Sequence, residues 1–403
     1  MRISTSQIYD AGSRNLMSSQ SGLYKLQNQL STGKKFLSAQ DDPVAAAQVL
    51  LASQSLAVNS QYADNQANAL SQLSYEESQL QAVVSAIQDA RELVVSAGNG
   101  SYTDDAREKI ADELESKFDL LLGLANSTDA NGYYLFSGYQ GNTRPFETNA
   151  DGSIYYTGDN GQRLLQVGST RQVALSDSGY DIFQKIKTGN GTFSTTAGTN
   201  AGSGVIGGGS VVDISQWLTN AQDYSVEFVS DTQFEILDAS GTALSGGPFG
   251  YTSGTAITDI PGISFSISGS PQAGDTFAVE PSRNQDIFTT LQNLVETLRT
   301  DISGDAAAGA ALRNTLNAEM QNIDQALQNV VMVRSSAGAR MSEMESLQSI
   351  SSSLDLQFEA RISDLQDIDY ADVISRYLQQ NKQLEAAQSS FSKISGLSLF
   401  NYL

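Results

Sequence analysis

The amino-acid sequence predicts an α+β, multidomain chain in which long helical arms from both termini form an antiparallel bundle or coiled coil around an inserted central antiparallel β domain. Three observations predict it. Punctuation residues are segregated: 24 of the 34 glycines lie between Gly132 and Gly274, and five of the six prolines between Pro145 and Pro281. Both flanks are rich in Gln, Ala, Ser and Leu and carry apolar residues at helical spacing. The middle alternates polar and apolar residues in short runs bounded by turn residues.

The first arm opens with Tyr9, Leu16, Leu23, Leu26, Leu30 and Leu37 at steps of three, four or seven, an apolar stripe along a helix. Thr32-Gly33-Lys34-Lys35 is expected to end it. Asp41-Asp42-Pro43 then places an acidic cap beside a proline at the first helical position. Val44 to Ala97 holds neither Gly nor Pro, and as one helix it runs about 80 Å. Thr103-Asp104-Asp105 caps a further helix bearing Ile110, Leu114, Phe118, Leu121 and Leu124.

The second arm mirrors the first. Ile287, Leu291, Leu294 and Leu298 mark a helix, and a long helical stretch follows over roughly 305–361. Val373, Tyr377, Gln380, Leu384, Ala387, Phe391 and Ile394 keep alternating steps of four and three, the seam of a coiled coil. A lone amphipathic helix is marginal in water, so each stripe needs a cover. The other arm, antiparallel, is the simplest one, and neighbouring subunits are the alternative at the extreme termini.

Between the arms, Ser153 to Tyr156 and Arg163 to Val167 are expected to pair as a hairpin across Gly158-Asp159-Asn160-Gly161. Residues 188–210 read as a flexible linker. Residues 224–229, 233–237, 263–267 and 276–279 alternate as half-buried antiparallel strands, with a turn at Asp238-Ala239-Ser240-Gly241.

Composition narrows the chemistry. The chain has no cysteine and no histidine, and 45 acidic residues against 23 basic ones give a net charge of −22. That excludes disulfides, thiolate nucleophiles, imidazole-based triads and the usual zinc and iron–sulfur sites, and it argues against nucleic acid as a partner. No catalytic, cofactor-binding or metal-ligating set is expected. Gly202-Ser203-Gly204-Val205-Ile206-Gly207 matches a dinucleotide fingerprint but follows a Gly/Thr-rich tract rather than a buried strand. Thr32-Gly33-Lys34-Lys35 lacks the first glycine and the final hydroxyl of a phosphate loop. Glu147, Asn149, Asp151 and Gly152 resemble the start of a calcium loop, with Gly158 where its bidentate glutamate belongs. No apolar run approaches ~18 residues, so no membrane span is expected. The N-terminal segment has no continuous apolar core of a cleaved signal peptide. Taken alone this predicts a soluble, cytoplasmic chain, and the lack of cysteine fits equally a chain that passes unfolded through a channel.

Several motifs then carry a resemblance. Met1-Arg2-Ile3-Ser4-Thr5, Leu30 to Lys35, Asp41-Asp42-Pro43-Val44-Ala45-Ala46-Ala47, Asn131 to Tyr139 (with Tyr134, Phe136 and Gly138), Asp369-Tyr370-Ala371 and the closing run Phe391 to Leu403 resemble the flagellin superfamily, and within it the hook–filament junction proteins. The resemblance covers roughly 1–150 and 284–403. It implies a flagellin-like division: residues 1–40 with 365–403 as terminal helices, 41–140 with 284–364 as a helical bundle, and 141–283 as a β-rich outer domain. It further implies a structural adaptor of the bacterial flagellum rather than an enzyme, exported unfolded through a type III channel and extracellular once assembled. The implied partners are a first junction protein on the hook side, flagellin, a dedicated export chaperone near the C-terminus, and further copies of the chain in a ring, with a monomer when free. The expected assembly residues are Tyr9, Leu16, Leu23, Leu26, Leu30, Val373, Tyr377, Leu384, Ala387, Phe391, Ile394 and Leu399, on helices that order as the ring forms. Flagellin itself, the first junction protein, and a surface adhesin or enzyme are the rival readings.

Overall fold

The computed structural model describes residues 5–100, 102–302 and 304–396. Among these, seven α-helices run in chain order: α1 (Thr5–Thr32), α2 (Pro43–Ala97), α3 (Asp104–Ala125), α4 (Ile214–Asn220), α5 (Ile287–Leu298), α6 (Ala306–Gln366) and α7 (Tyr370–Gly396). Thr103 caps α3 by accepting from the Ala106 amide, and Asp286 caps α5 by accepting from the Thr289 amide. The chain divides into two compact units, Met1–Asn65 with Ser346–Leu403, and Gln66–Glu345.

The terminal unit holds α1, α7 and the adjoining parts of α2 and α6. Gly33 closes α1 in the left-handed conformation (φ 72°), its amide donating to the Gln29 carbonyl at 2.8 Å. Asp42 caps α2: its carboxylate accepts from the amides of Val44 (3.2 Å) and Ala45 (2.9 Å), with Pro43 as the first helical residue. Asp369 does the same for α7, accepting from the amides of Ala371 and Asp372. Midway along, the Asn59 side chain donates to the Ser351 carbonyl and the Asp355 carboxylate, both at 2.8 Å, pinning α2 to α6.

The larger unit carries fifteen strands among its described residues: β1 (Phe146–Thr148), β2 (Ile154–Tyr156), β3 (Leu164–Gln166), β4 (Gln172–Ala174), β5 (Ile186–Lys187), β6 (Phe193–Ala197), β7 (Val205–Ile206), β8 (Ser210–Val211), β9 (Tyr224–Ser230), β10 (Gln233–Leu237), β11 (Phe249–Gly250), β12 (Ala256–Ile257), β13 (Ile263–Ser268), β14 (Thr276–Pro281) and β15 (Asn284–Gln285). A five-stranded antiparallel sheet in the order β11-β10-β9-β14-β6 faces a smaller sheet in which β13 pairs with β12, β7 and β8. Alternation sends Val226, Phe228, Phe234, Ile236, Phe277 and Val279 inward to meet Ile263, Phe265 and Ile267. Trp217 of α4 is buried in this core between Phe193 and Tyr224.

A second core joins helices to the first hairpin. Phe146 of β1 lies 5.4 Å from the Phe183 ring and 5.3 Å from that of Phe288 on α5, amid Leu80 and Ile87 of α2 and Leu114 of α3. Helix α6 adds a polar ladder that reads backbone. Asn314 accepts from the Ile206 amide (2.8 Å) and donates to the Gly204 carbonyl (3.0 Å), while Asn329 donates to the carbonyls of Asp181 and Ile182.

Two sequence expectations are corrected. Residues 153–156 and 163–167 do not pair with each other: β2 pairs with β1, and β3 with β4 across Gly168 to Arg171. Each true hairpin is short, and β1 and β4 have too few alternating residues to stand out. Residues 188–210 are not a plain linker, since β6, β7 and the start of β8 lie within them. Phe193 and Ile206 are buried there, and Asn314 supplies backbone partners that a glycine-rich stretch lacks within itself.

Candidate assembly interface

In the terminal unit, α1 and α7 pack along their predicted stripes. Leu16, Leu23, Leu26 and Leu30 of α1 are half-buried, as are Tyr377, Leu384, Ala387 and Phe391 of α7, while Val373 is buried. The Tyr9 and Phe391 rings meet edge to face, 5.9 Å apart at 89°. Gly12 lies under the Phe391 ring, where a Cβ would come within 2.8 Å of it, so the helices approach closely at that point. The antiparallel register continues at Gly22, which lies against Gln380. Ile394 lies on α7 with its side chain outside the described set, and Leu399 lies outside the described residues.

The base of the seam explains the Thr32-Gly33-Lys34-Lys35 motif. The Lys35 amide donates to the Gln366 carbonyl at 2.6 Å, and the Ile368 amide to the Gly33 carbonyl at 3.0 Å, with Lys34 and Asp367 bridged antiparallel. The motif staples the segment after α1 to the one before α7, with Phe36 and Ile368 buried beside it. The next motif serves the same turn. Asp41 receives the Lys25 ammonium at 2.9 Å and the amides of Leu37 and Ser38, contacts that hold its carboxyl below the ordinary aspartate range. Phe136 and Gly138 work in the larger unit. Phe136 is buried against Phe183, and Gly138 (φ 69°) lies so close to Asp159 that any Cβ would collide with it. Tyr134 is half-buried, its amide donating to the Gly141 carbonyl at 2.7 Å. These three residues shape a turn.

The seam itself is thin. Among the described residues of the terminal unit only Phe36, Ile368 and Val373 are buried apolar side chains, with Asn59 and Ser351 the buried polar ones. A hollow of about 430 Å³ lined by glutamines, Lys25 and Arg376 opens beside Leu26. Large apolar side chains instead point outward: Met17 (67 % exposed) and Tyr24 (66 %) on α1, Val44, Leu51 and Val58 on α2, and Tyr370, Ile374 and Leu378 on α7. Sequence reasoning passed over these second faces. Their spacing is the signal that finds them: 17 and 24, then 44, 51 and 58, recur every seven residues, and 370, 374 and 378 every four. No group of three or more metal-binding side chains occurs among the described residues, and no described helix is long and apolar enough to cross a membrane.

Paired terminal helices around an antiparallel β insertion define a flagellin-type structural protein. Family models agree at both ends: the bacterial flagellin N-terminal helical region matches residues 3–141, and the C-terminal helical region residues 320–403. The chain is 29% identical over 400 residues to flagellar hook-associated protein 3 of Salmonella typhimurium, covering 99% of both chains, and 29% identical to that of Escherichia coli over the same length. Among solved structures, FlgL of Xanthomonas campestris shares 31% identity at a TM-score of 0.71, with 77% of this chain and 99% of that one covered. Flagellar hook-associated protein 3 of Legionella pneumophila shares 28% at 0.75, with 79% and 98% covered. The chain belongs to the flagellin family, as a member of its hook-associated protein 3 (FlgL) group.

Proposed function

We propose that this chain is the structural, non-enzymatic adaptor that joins the hook side of the bacterial flagellum, through the first junction protein, to the flagellin filament. The observation that carries the reading is the terminal unit itself, a pair of helices with its seam half-covered and its outer faces apolar. Such a surface gains most when further subunits exclude water from it. The chain crosses the envelope unfolded through the type III channel with an export chaperone held near its C-terminal region, consistent with the absence of cysteine. Residues 9–37 and 373–403 complete their packing as a ring of copies forms, and the cost of ordering them is met at that step. The helical bundle and the β domain, 41–140 with 284–364 and 141–283, then stand as the outer parts of each subunit.

Deletion of the gene tests this directly. Cells should still build hooks while unpolymerised flagellin escapes into the medium; normal filaments in the deletion strain refute the assignment. Within the chain, Leu384→Asp with Phe391→Asp should abolish incorporation into flagella and leave the unfolding of the larger unit unchanged. A variant that assembles normally removes the seam from the mechanism.

A further inference from the structure

The two outer faces of the terminal helices differ in a way that suits them to each other. On α1, Arg14, Met17 and Tyr24 fall on one side, more than a quarter-turn from the seam by helical periodicity. On α7, Ile374, Leu378 and Glu385 share a side about a third of a turn from the seam. Met17, Tyr24, Ile374 and Leu378 are 67, 66, 45 and 57 % exposed. One face ends in a cation and the other in an anion. Arg14 to Tyr24 and Glu385 to Ile374 span nearly equal lengths of helix, about 15 and 16 Å. Laid antiparallel, Arg14 meets Glu385 while Tyr24 meets Ile374. Glu385 already has Lys382 at 3.2 Å, but that pair is solvent-exposed and a carboxylate accepts more than one donor.

We propose that copies of this chain bind head to tail through these helices, the Arg14–Met17–Tyr24 face of α1 in one copy lying on the Ile374–Leu378–Glu385 face of α7 in the next. The proposal rests on the ring reading above and adds its contact. A second copy of this chain is the occupant the surface favours, on two grounds. A closed ring of identical subunits needs a heterologous interface, two different patches that complement each other, and these are two such patches. Charge permits crowding here as it does not elsewhere. Residues 1–65 and 346–403 hold nine Lys and Arg against eleven Asp and Glu, a net −2, while residues 66–345 hold fourteen against 34, a net −20. Copies packed through the terminal unit therefore meet little mutual repulsion at their contact.

The absence of cysteine makes the contact directly testable. Flagella are purified from cells carrying the Tyr24→Cys, Ile374→Cys double variant, oxidised mildly and run on a non-reducing gel. A head-to-tail contact gives a ladder in steps of 43 kDa, and each single variant stays at one step. Dimers from a single variant show like faces meeting like and overturn the proposal. So does an absent ladder when the chain is present in the flagella with both thiols still free to alkylation, since a bond within one copy would consume them without changing the mass. If the double variant does not incorporate, or closes such a bond, charge reversal decides. Arg14→Glu and Glu385→Arg each lower incorporation about two- to fivefold, and together they restore it. Single reversals without effect, or a double no better than either single, overturn the contact. Absence of the wild-type chain from purified flagella defeats the adaptor reading itself, a result distinct from presence without cross-linking.

Discussion

The unit formed by residues 66–345 buries 52 apolar residues and exposes fourteen large ones, whereas the terminal unit buries three and exposes thirteen among the residues described. The charge runs the other way, −20 against −2. One region meets the entropy of ordering its backbone from its own core. The other has helices of the right length and pattern, capped at their starts, but too little covered surface to match. Excess negative charge opposes the close approach of copies of the first region, and the second, near neutrality, carries little such repulsion.

The comparison breaks most visibly at the aromatic cluster. Phe288 is fully buried, with rings of Phe118, Phe146 and Phe183 within 6.0 Å. Phe288→Ala should destabilise the larger unit by about 3–5 kcal/mol, read by thermal unfolding of the free chain. Leu23→Ala on half-buried α1 should cost the free chain about 1 kcal/mol and show its main effect on incorporation into flagella. Equal losses in the free chain deny that the two regions differ.

Acidity sharpens the contrast from inside the larger unit. Glu76 of α2 is fully buried and accepts the Asp177 amide at 2.7 Å, while its other carboxylate oxygen has no partner. Burial first, then the charge of Asp177, pushes its carboxyl up to about 7, against the opposing pull of that amide and of Arg340. Since the folded value lies above the unfolded one, Glu76 contributes fully below the ordinary carboxylate range, and its contribution is lost as pH rises through about 7. Glu76→Gln should match the wild type near pH 4 and exceed its stability at pH 8 by about 3 kcal/mol. Unfolding curves at the two values check it; identical pH profiles exclude a buried protonated Glu76.

A smaller effect belongs to the start of α2. Asp42→Ala removes the acceptor for the Val44 and Ala45 amides and should cost about 1 kcal/mol locally. Faster hydrogen exchange confined to those amides is the expected reading, and unchanged exchange removes the cap from the account.

What was legible in the sequence follows from the range of the physics involved. Helices announce themselves locally, so the Gly- and Pro-free run after Val44, the Thr103 cap and the seam residues of α1 and α7 could be placed by spacing alone. Long alternating strands such as β9, β10, β13 and β14 were equally plain. Strands of three residues carry too little alternation to stand out, which is why β1 and β4 were missed although each pairs with its immediate neighbour in the chain, and β7 was taken for linker because its partner is remote: Ile206 pairs with Ile267 of β13. The proposed assembly surface was legible only as a pair of stripes. Spacing found the stripes, but only the packed structure shows that those stripes face each other and that Met17, Tyr24, Ile374 and Leu378 are what remains outside.

The finest difference between the regions lies in how their turns are held. In the larger unit a turn such as Gly138 is fixed twice over, since Asp159 leaves no room for a Cβ there and its carboxylate also accepts the amides of Tyr139 (3.0 Å) and Gly161 (2.7 Å). In the terminal unit the turn before α2 is held by one exposed carboxylate, Asp41, bound to Lys25, Leu37 and Ser38. Those contacts favour its ionised form, so the turn's share of stability is present above the usual aspartate value and is lost as pH falls through the lowered one. Asp41→Asn keeps the size and an amide oxygen but removes the charge. Protection of the Leu37 and Ser38 amides, taken relative to their intrinsic exchange at each pH, should therefore fall in the variant near neutral pH and fall in the wild type only in acid. If acid loosens Gly138 first, electrostatics rather than packing governs the larger unit's turns as well, and the contrast between the two regions does not extend to their loops.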